Sequence, residues 1–375
     1  MKSDWQSSYL AHETGYESPA SVRYKSKWLF VGQIETGWVN TAQMRLDCIR
    51  SLVNSVSTVC DVPFHRWAGR YIGYAFRKGA FGPPVAALNR TIRTLASEQK
   101  PDVVWIDKGM WVFPSTVRRL QTDLGCTVVH YTPDPAFTTH RSRHFTRSVP
   151  YYDLLLTTKR YELAMYRKCG AKRTECLYPT FDSRLHRPVD LSPDDKKRFA
   201  CDAVFIGTYG PGRERFLLPL AEAGVSLAIW GSGWNQCREP KLKASIRNAT
   251  ITGEDYVKAL RATKIGLGIL STLHPDQATT RSAEIPAIGT FLLAQRTDEH
   301  QEMFVEGKEA EFFSDEEELL RKAKCYLLND DLRKEIAEWG RLRVITNKCD
   351  VRIQMNSIVK MVETLRSNHR DQTPQ

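Results

Sequence analysis

The chain has 375 residues, 42% of them hydrophobic and 26% charged, with a net charge of +11. That length exceeds one ordinary core and suits two domains of roughly 150–200 residues each. No apolar run approaches the roughly 20 residues that cross a bilayer, and the polar N-terminus lacks the apolar centre of an export signal, so a cytoplasmic protein is expected.

Residues 1–27 read as a flexible polar tail. KWLFVGQI (27–34) then reads as a strand ending at Gly32, and residues 40–53 as a helix with Met44, Cys48 and Leu52 on one face. A helix over 85–98, a buried strand over 101–107, a helix over 115–124 and a strand over 126–134 follow. A strand over 153–158 and a helix over 159–168 close this half. The alternation is that of an open, mostly parallel sheet and implies a first α/β domain over 28–185. FDSRLHRPVDLSPDDKKRFA (181–200) is polar, carries two prolines and reads as a linker.

The rhythm restarts over 200–350. ACDAVFIGTYGPGRERFLLPLAEAG (200–224) is a strand, a Gly-rich turn and a helix, and SLAIWGSGW (226–234) is the next strand and turn. Residues 251–270 hold a helix and a strand. Ser314 and Glu317 have the spacing of a capping box. A last amphipathic helix, 351–368, is expected to cross back to the first domain. Two doubly wound Rossmann-like halves facing a cleft would bind ligand outside the carboxyl ends of their strands. The nine cysteines show no CxxC and no metal spacing, and read as reduced thiols.

Charge is uneven. Residues 1–190 hold 27 Lys and Arg against 16 Asp and Glu, whereas the rest hold 27 against 27. The whole excess sits in the first half, which suits either an anionic partner (a membrane surface, a phosphorylated acceptor or nucleic acid) or a solvated basic face.

HPDQATTRSAEIPAIGTFLLAQRTDEH (274–300) is the most informative stretch, with Asp276 and Glu284 eight positions apart. A helix starting near Thr280 would offer free N–H groups to a diphosphate. Arg281 would add a full charge, and Glu284 would accept from two ribose hydroxyls. Spacing alone fits equally a surface Glu paired with Arg281, and Pro286 should distort the helix. In the turn GTYGPGRERF, Gly207 and Gly210 allow backbone approach to a phosphate, and Arg213 and Arg215 can neutralise it. A flexible turn with exposed arginines fits as well. In HYTPDPAFTTHRSRHFTR, Asp134 sits between two prolines at a strand end, placed as a general base or acceptor contact, with His140 and Arg141 in the basic run behind it. A turn Asp before a solvated basic loop is the alternative. Asp107 and Lys108, at a strand end, and Gly32, Gln33 and Gly37, after the first strand, are candidates for the cleft wall. No HExxH, CxxC or DxD pattern occurs, and nothing demands a metal or cofactor.

Residues 279–344, together with VFIGTYG (204–210), IWGSGW (229–234), YTPDP (131–135) and YYDLLLTT (151–158), resemble the CgeB-type (spore maturation protein) glycosyltransferases of the family 1 and 4 group. The resemblance implies the GT-B fold, a nucleotide-sugar donor, most readily a UDP-sugar, and transfer without a bound metal. It implies that Glu284 binds the donor ribose and Asp276 the donor sugar, with Arg213 or Arg215 and Arg281 at the diphosphate. The acceptor is not indicated; the basic first half suggests an anionic or membrane-associated one, with peripheral attachment to the inner membrane face. Rival expectations are a sugar-nucleotide epimerase or hydrolase on the same fold, a catalytically silent module, and a nucleic-acid-binding protein.

Overall fold

The computed structural model describes residues 23–34, 40–67, 80–138, 140–247 and 249–371. Gly37 and most of the expected tail lie outside them, whereas Tyr24 to Lys27 already belong to the first strand.

The first half forms a six-stranded sheet from β1 (Tyr24–Gly32), β2 (Val53–Cys60), β3 (Val103–Asp107), β4 (Thr127–Thr132), β5 (Leu154–Thr157) and β6 (Thr174–Cys176), in the order β2-β1-β3-β4-β5-β6. Every pairing is parallel. The inner strands are apolar on both faces, since helices cover both. One face packs Leu29, Val104, Val128 and Leu155 against α2 (Pro83–Gln99), α3 (Pro114–Thr122), α4 (Arg143–Ser148) and α5 (Leu163–Lys168). The other packs Trp28, Trp105, Val129 and Leu154 against α1 (Thr41–Leu52). Strand β2 was not expected from its sequence. VNSVSTVC is half polar, which an edge strand tolerates because its outer face meets water.

The second half repeats the plan with β7 (Cys201–Ile206), β8 (Leu227–Trp230), β9 (Thr263–Gly268), β10 (Phe291–Gln295) and β11 (Glu311–Phe313), all parallel, in the order β11-β10-β9-β7-β8. Its helices include α6 (Pro193–Phe199), α7 (Pro211–Glu222), α8 (Gly253–Arg261), α9 (Thr280–Ala287), α10 (Asp298–Met303), α11 (Glu316–Leu328) and α12 (Asp330–Thr346). Winding reverses between β1 and β3 in one sheet and between β7 and β9 in the other, and at such switch points the loops part to leave a crevice.

Three local expectations need correction. The stretch 181–200 is not all linker, since α6 lies in it behind a Ser192–Asp195 capping box. The cap of α11 is Asp315, whose side chain accepts from Glu318 N–H while Glu318 accepts from Ser314 N–H, one position later than Ser314 and Glu317. The helix expected over 159–168 starts later: a 3-10 turn spans Arg160–Glu162, and Lys159 stands outside the helix.

The last helix, α13 (Val351–Asp371), returns to the first domain. Met355, Ile358, Val359 and Val362 join the cluster of Trp28, Trp105 and Leu154. Glu363 is buried there and accepts from Ser26 Oγ and, at 3.1 Å, from Trp28 Nε1.

Candidate active site

At the switch point of the second sheet, α9 follows β9 and starts at Thr280. Pro286 stands in its last turn, so its missing N–H removes a single helical bond. The end is a Schellman motif: Thr290 N–H reaches Ile285 O, Gly289 N–H reaches Pro286 O, and Gly289 supplies the left-handed φ of +82°. A short rigid helix thus presents Arg281 and Glu284 on adjoining turns.

Glu284 is paired with Arg281 as the alternative reading had it, but not at the surface. The residue is only 6% exposed. Tyr256 of α8 donates its hydroxyl to Glu284 Oε2 at 2.7 Å, and its ring lies 4.7 Å under the Arg281 guanidinium. Oε1 faces His186 Nε2 at 3.9 Å. His186 Nδ1 accepts from Asp182 N–H at 3.0 Å, which puts the proton of the neutral ring on Nε2. Burial opposes the charge of Glu284, but Arg281, His186 and Tyr256 outweigh it and hold the carboxyl below its usual range. Arg281 also donates from Nε to Ile206 O at 3.2 Å, anchoring it to the end of β7, and from NH1 to Thr280 Oγ1 at 3.3 Å.

The first turn of α7, which starts at Pro211 inside the expected Gly-rich turn, carries Arg213 to the end of β7. Arg213 donates to Thr208 O at 2.6 Å, while its Nε is buried without a partner. No carboxylate forms an ion pair with it among the described residues. Burial and then the neighbouring Arg281 depress its pKa, with Asp276 opposing. Gly207 is a close-packing position: a Cβ there would lie 2.7 Å from the Phe205 ring, and its carbonyl accepts from Trp234 Nε1 at 2.9 Å. Gly210 precedes α7 in extended conformation with open space around it. Arg215 is not brought to the site. It points outward, 65% exposed, and pairs with Glu316 at the start of α11.

Across the cleft, Asp134 follows β4 and pairs with Lys108 at 2.7 Å. Burial would raise its pKa, yet Lys108, His140 and Lys159 lower it further. His140, Lys108 and Asp134 line one small pocket with Phe145. Arg141 is exposed on the loop outside it. Asp107 is withdrawn from the cleft wall: it is 1% exposed and takes Arg45 Nε at 2.8 Å and NH2 at 3.0 Å. Gly32 belongs to that packing, since a Cβ there would lie 2.8 Å from Asp107 Cβ.

Asp276 reaches the first domain. Its Oδ1 forms an ion pair with Lys159 Nζ at 2.9 Å and accepts from the Tyr161 hydroxyl at 3.0 Å. Arg160, between them, makes a two-pronged pair with Glu302 of α10 at 2.8 Å on each prong. Lys159, Tyr161, Tyr256 and His186 were missed in the sequence. Lys159 carried one signal, its place just past a strand end. Tyr256 and His186 carried none, because they reach the site from a helix flank and from the connector. Among the described residues, no cluster of three or more His, Cys, Asp or Glu is placed to hold a metal ion.

Residues 213–356 match a protein family described as glycosyl transferase-like. HepE of Anabaena, solved in complex with UDP-glucose, superposes with a TM-score of 0.62 at 15% identity, over 91% of this chain and all of that one. Sucrose-phosphate synthase of Thermosynechococcus elongatus gives 0.66 at 11% identity, over 91% and 100%. A putative UDP-N-acetylglucosamine 2-epimerase of Listeria monocytogenes gives 0.56 at 11%, over 93% and 98%. No curated protein matches the sequence. The fold is therefore the GT-B arrangement of two facing Rossmann-like domains, and its second domain carries a glycosyl transferase-like region.

Proposed function

We propose that the protein transfers a sugar from a UDP-sugar to an acceptor hydroxyl, as a member of the CgeB-type subgroup whose residues its 279–344 stretch resembles. One observation carries it: Arg281 is bound to Ile206 O and Arg213 to Thr208 O, two residues apart at the end of β7, and among the described residues no carboxylate forms an ion pair with Arg213. Two half-buried cations at one place repel each other and attract a dianion. A diphosphate supplies that charge. Arg281 turns from Glu284 toward it, and Glu284 Oε1, which neither Arg281 nor Tyr256 occupies, accepts from the ribose. In the transfer the bond from the anomeric carbon to the diphosphate breaks and its electron pair leaves with the diphosphate. The acceptor oxygen forms the new bond, and its proton passes to a base, for which Asp134 is the candidate. Charge on the leaving group is stabilised by the two arginines, which are in place before the reaction begins. We propose that no metal or other cofactor takes part.

The acceptor side favours an anionic or membrane-borne molecule. Arg118 and Arg119 of α3, Arg143 and Arg147 of α4, and Arg167 and Lys168 of α5 are exposed on one helical layer of the first domain, with Met165 exposed among them. None of the six makes an ion pair among the described residues, and a basic layer of this kind suits an anionic leaflet. No helix of the described residues is long and apolar enough to cross a membrane.

The test is UDP binding by calorimetry and UDP release from UDP-sugars, with EDTA present and absent, in wild type and Glu284→Ala. Wild-type binding lost in the variant supports the donor site. UDP affinity unchanged in Glu284→Ala removes the ribose role, and activity abolished by EDTA removes metal independence. Sugar epimerised without any acceptor would instead support the epimerase reading, which the Listeria likeness keeps open.

A further inference from the structure

His186 belongs to neither sheet. It stands in the connector between β6 and α6, yet its side chain reaches Glu284 on α9 of the second domain. The residue is 5% exposed and its pose is fixed. Asp182 N–H donates to Nδ1 at 3.0 Å, and His186 N–H donates back to Asp182 O at 2.6 Å. The Tyr256 ring meets the imidazole edge-on, with centroids 5.8 Å apart. Asp182 is itself held by Arg184 NH2 at 2.7 Å. The connector is tied to the start of α13 by Phe181 N–H on Cys349 O and Val351 N–H on Phe181 O. Burial pushes the His186 pKa below the ordinary histidine value, against the pull of Glu284 and Asp182. The ring is therefore neutral at neutral pH, with its one proton on Nε2.

Nε2 faces Glu284 Oε1 at 3.9 Å. That is beyond a direct N–H···O bond, which closes at about 2.7–3.2 Å. It is a separation that one oxygen can span from the side, since bonds of about 2.8 Å to each atom would meet at it at roughly 90°. Such an oxygen must accept from Nε2–H and donate to a carboxylate. A hydroxyl does both, whereas a phosphate oxygen only accepts and an ammonium only donates. The other carboxylate oxygen, Oε2, takes the Tyr256 hydroxyl at 2.7 Å and Arg281. These two contacts set the carboxylate's orientation and turn Oε1 toward His186.

We propose that His186 is a specificity-determining residue that reads one ribose hydroxyl jointly with Glu284, and so favours a ribonucleoside diphosphate over its deoxy counterpart. The inference rests on the donor reading above and adds a second reader, from the connector, to Glu284. Glu284 alone would accept from any donor group, whether a hydroxyl, a base N–H or an ammonium. With His186 opposite, the place calls for a group that donates and accepts at once. A deoxyribose puts C–H there and leaves Nε2–H and Oε1 of two buried residues unpaired together. Unpaired polar groups of this kind are what let a site reject an analogue that lacks one hydroxyl.

Wild type, His186→Phe and His186→Gln are titrated by calorimetry with UDP, 2′-deoxy-UDP and 3′-deoxy-UDP. Phenylalanine keeps a ring and removes its donor, and glutamine returns a donor at similar reach. Melting temperature without ligand establishes that each variant is folded, and His186→Asn, too short to reach, supplies the same comparison if phenylalanine does not fold. In wild type one of the two deoxy compounds should bind at least about tenfold more weakly than UDP. In His186→Phe, UDP should lose about 3- to 10-fold, as for one neutral hydrogen bond. That deoxy compound should stay within about twofold, because ring and hydroxyl act as one pair in a double-mutant cycle. His186→Gln should recover part of the preference for UDP. The proposal is overturned if wild type takes both deoxy compounds as well as UDP, or if removing the imidazole weakens UDP and the deoxy compound equally, as a merely structural histidine would. It is equally overturned if removing the imidazole weakens neither. No binding of UDP by wild type would sink the donor reading itself, which is a separate failure.

Discussion

Arg213→Met separates a cation kept for a ligand from one kept for the fold. Among the described residues the Arg213 side chain has one hydrogen bond, to Thr208 O, and the unfavourable neighbour Arg281. Its folded pKa is depressed, so folding holds its proton less tightly than the unfolded chain does, and its charge costs stability at every pH below that pKa. Methionine keeps the stem packed, loses a hydrogen bond of about 0.5–1.5 kcal/mol, and relieves the repulsion. The two effects oppose each other, so unfolding free energy should change by no more than about 1 kcal/mol in urea titration. UDP binding should behave differently, because an arginine–phosphate bond of about 1.5–3 kcal/mol is removed with nothing to replace it. At about 1.4 kcal/mol per tenfold, the UDP dissociation constant should rise about 10- to 150-fold. The thermal shift at fixed UDP should shrink accordingly. A drop in ligand-free stability beyond about 2 kcal/mol would make Arg213 a structural residue. Unchanged UDP affinity would place the diphosphate elsewhere.

Two further outcomes follow from the charge pairs. Lys108 holds the Asp134 carboxyl below its ordinary range against the effect of burial. Lys108→Met should therefore raise that pKa and move the acid limb of the donor-hydrolysis profile to higher pH, because ionised Asp134 is lost as pH falls through it. The pairing contributes stability above the unfolded Asp pKa, about 3.9, and that contribution fades as pH falls through the lower folded value. An acid limb that stays in place would take Asp134 out of the rate-determining chemistry. Arg45→Met should leave Asp107 buried and unpaired, at a cost of about 3–5 kcal/mol in urea unfolding, with most of it recovered when Asp107→Leu is added. A single-variant loss under about 1 kcal/mol would show that water reaches the carboxylate.

The donor half of the site was more legible than the acceptor half. Arg281 and Glu284 lie three apart on one helix, and Arg213 lies in the first turn of α7 just after β7, so local periodicity places all three near one switch point. The same spacing cannot tell Arg213 from Arg215, two positions on. Direction on the helix decides it: one turns in toward Arg281, the other out to Glu316. Asp107 misled for a similar reason. A carboxylate at a strand end is a cleft candidate by position, but Arg45, 62 residues earlier in the chain, had already claimed it.

What the chain order determined by itself is the pair of β-α rhythms, the break between them and the segment from Asp276 to Glu284. These follow from apolar runs and turn residues within a few positions of one another, the range over which backbone and neighbouring side chains dictate conformation. The edge strand β2 escaped because its polar half reads as loop until a partner strand satisfies its backbone. Tertiary structure alone decided that Tyr256 and His186 close around Glu284, and that Lys159 and Tyr161 meet Asp276 across the cleft. Those contacts join residues 28 to 117 positions apart. Their strength comes from burial of charge and from two domains meeting, which no local pattern encodes.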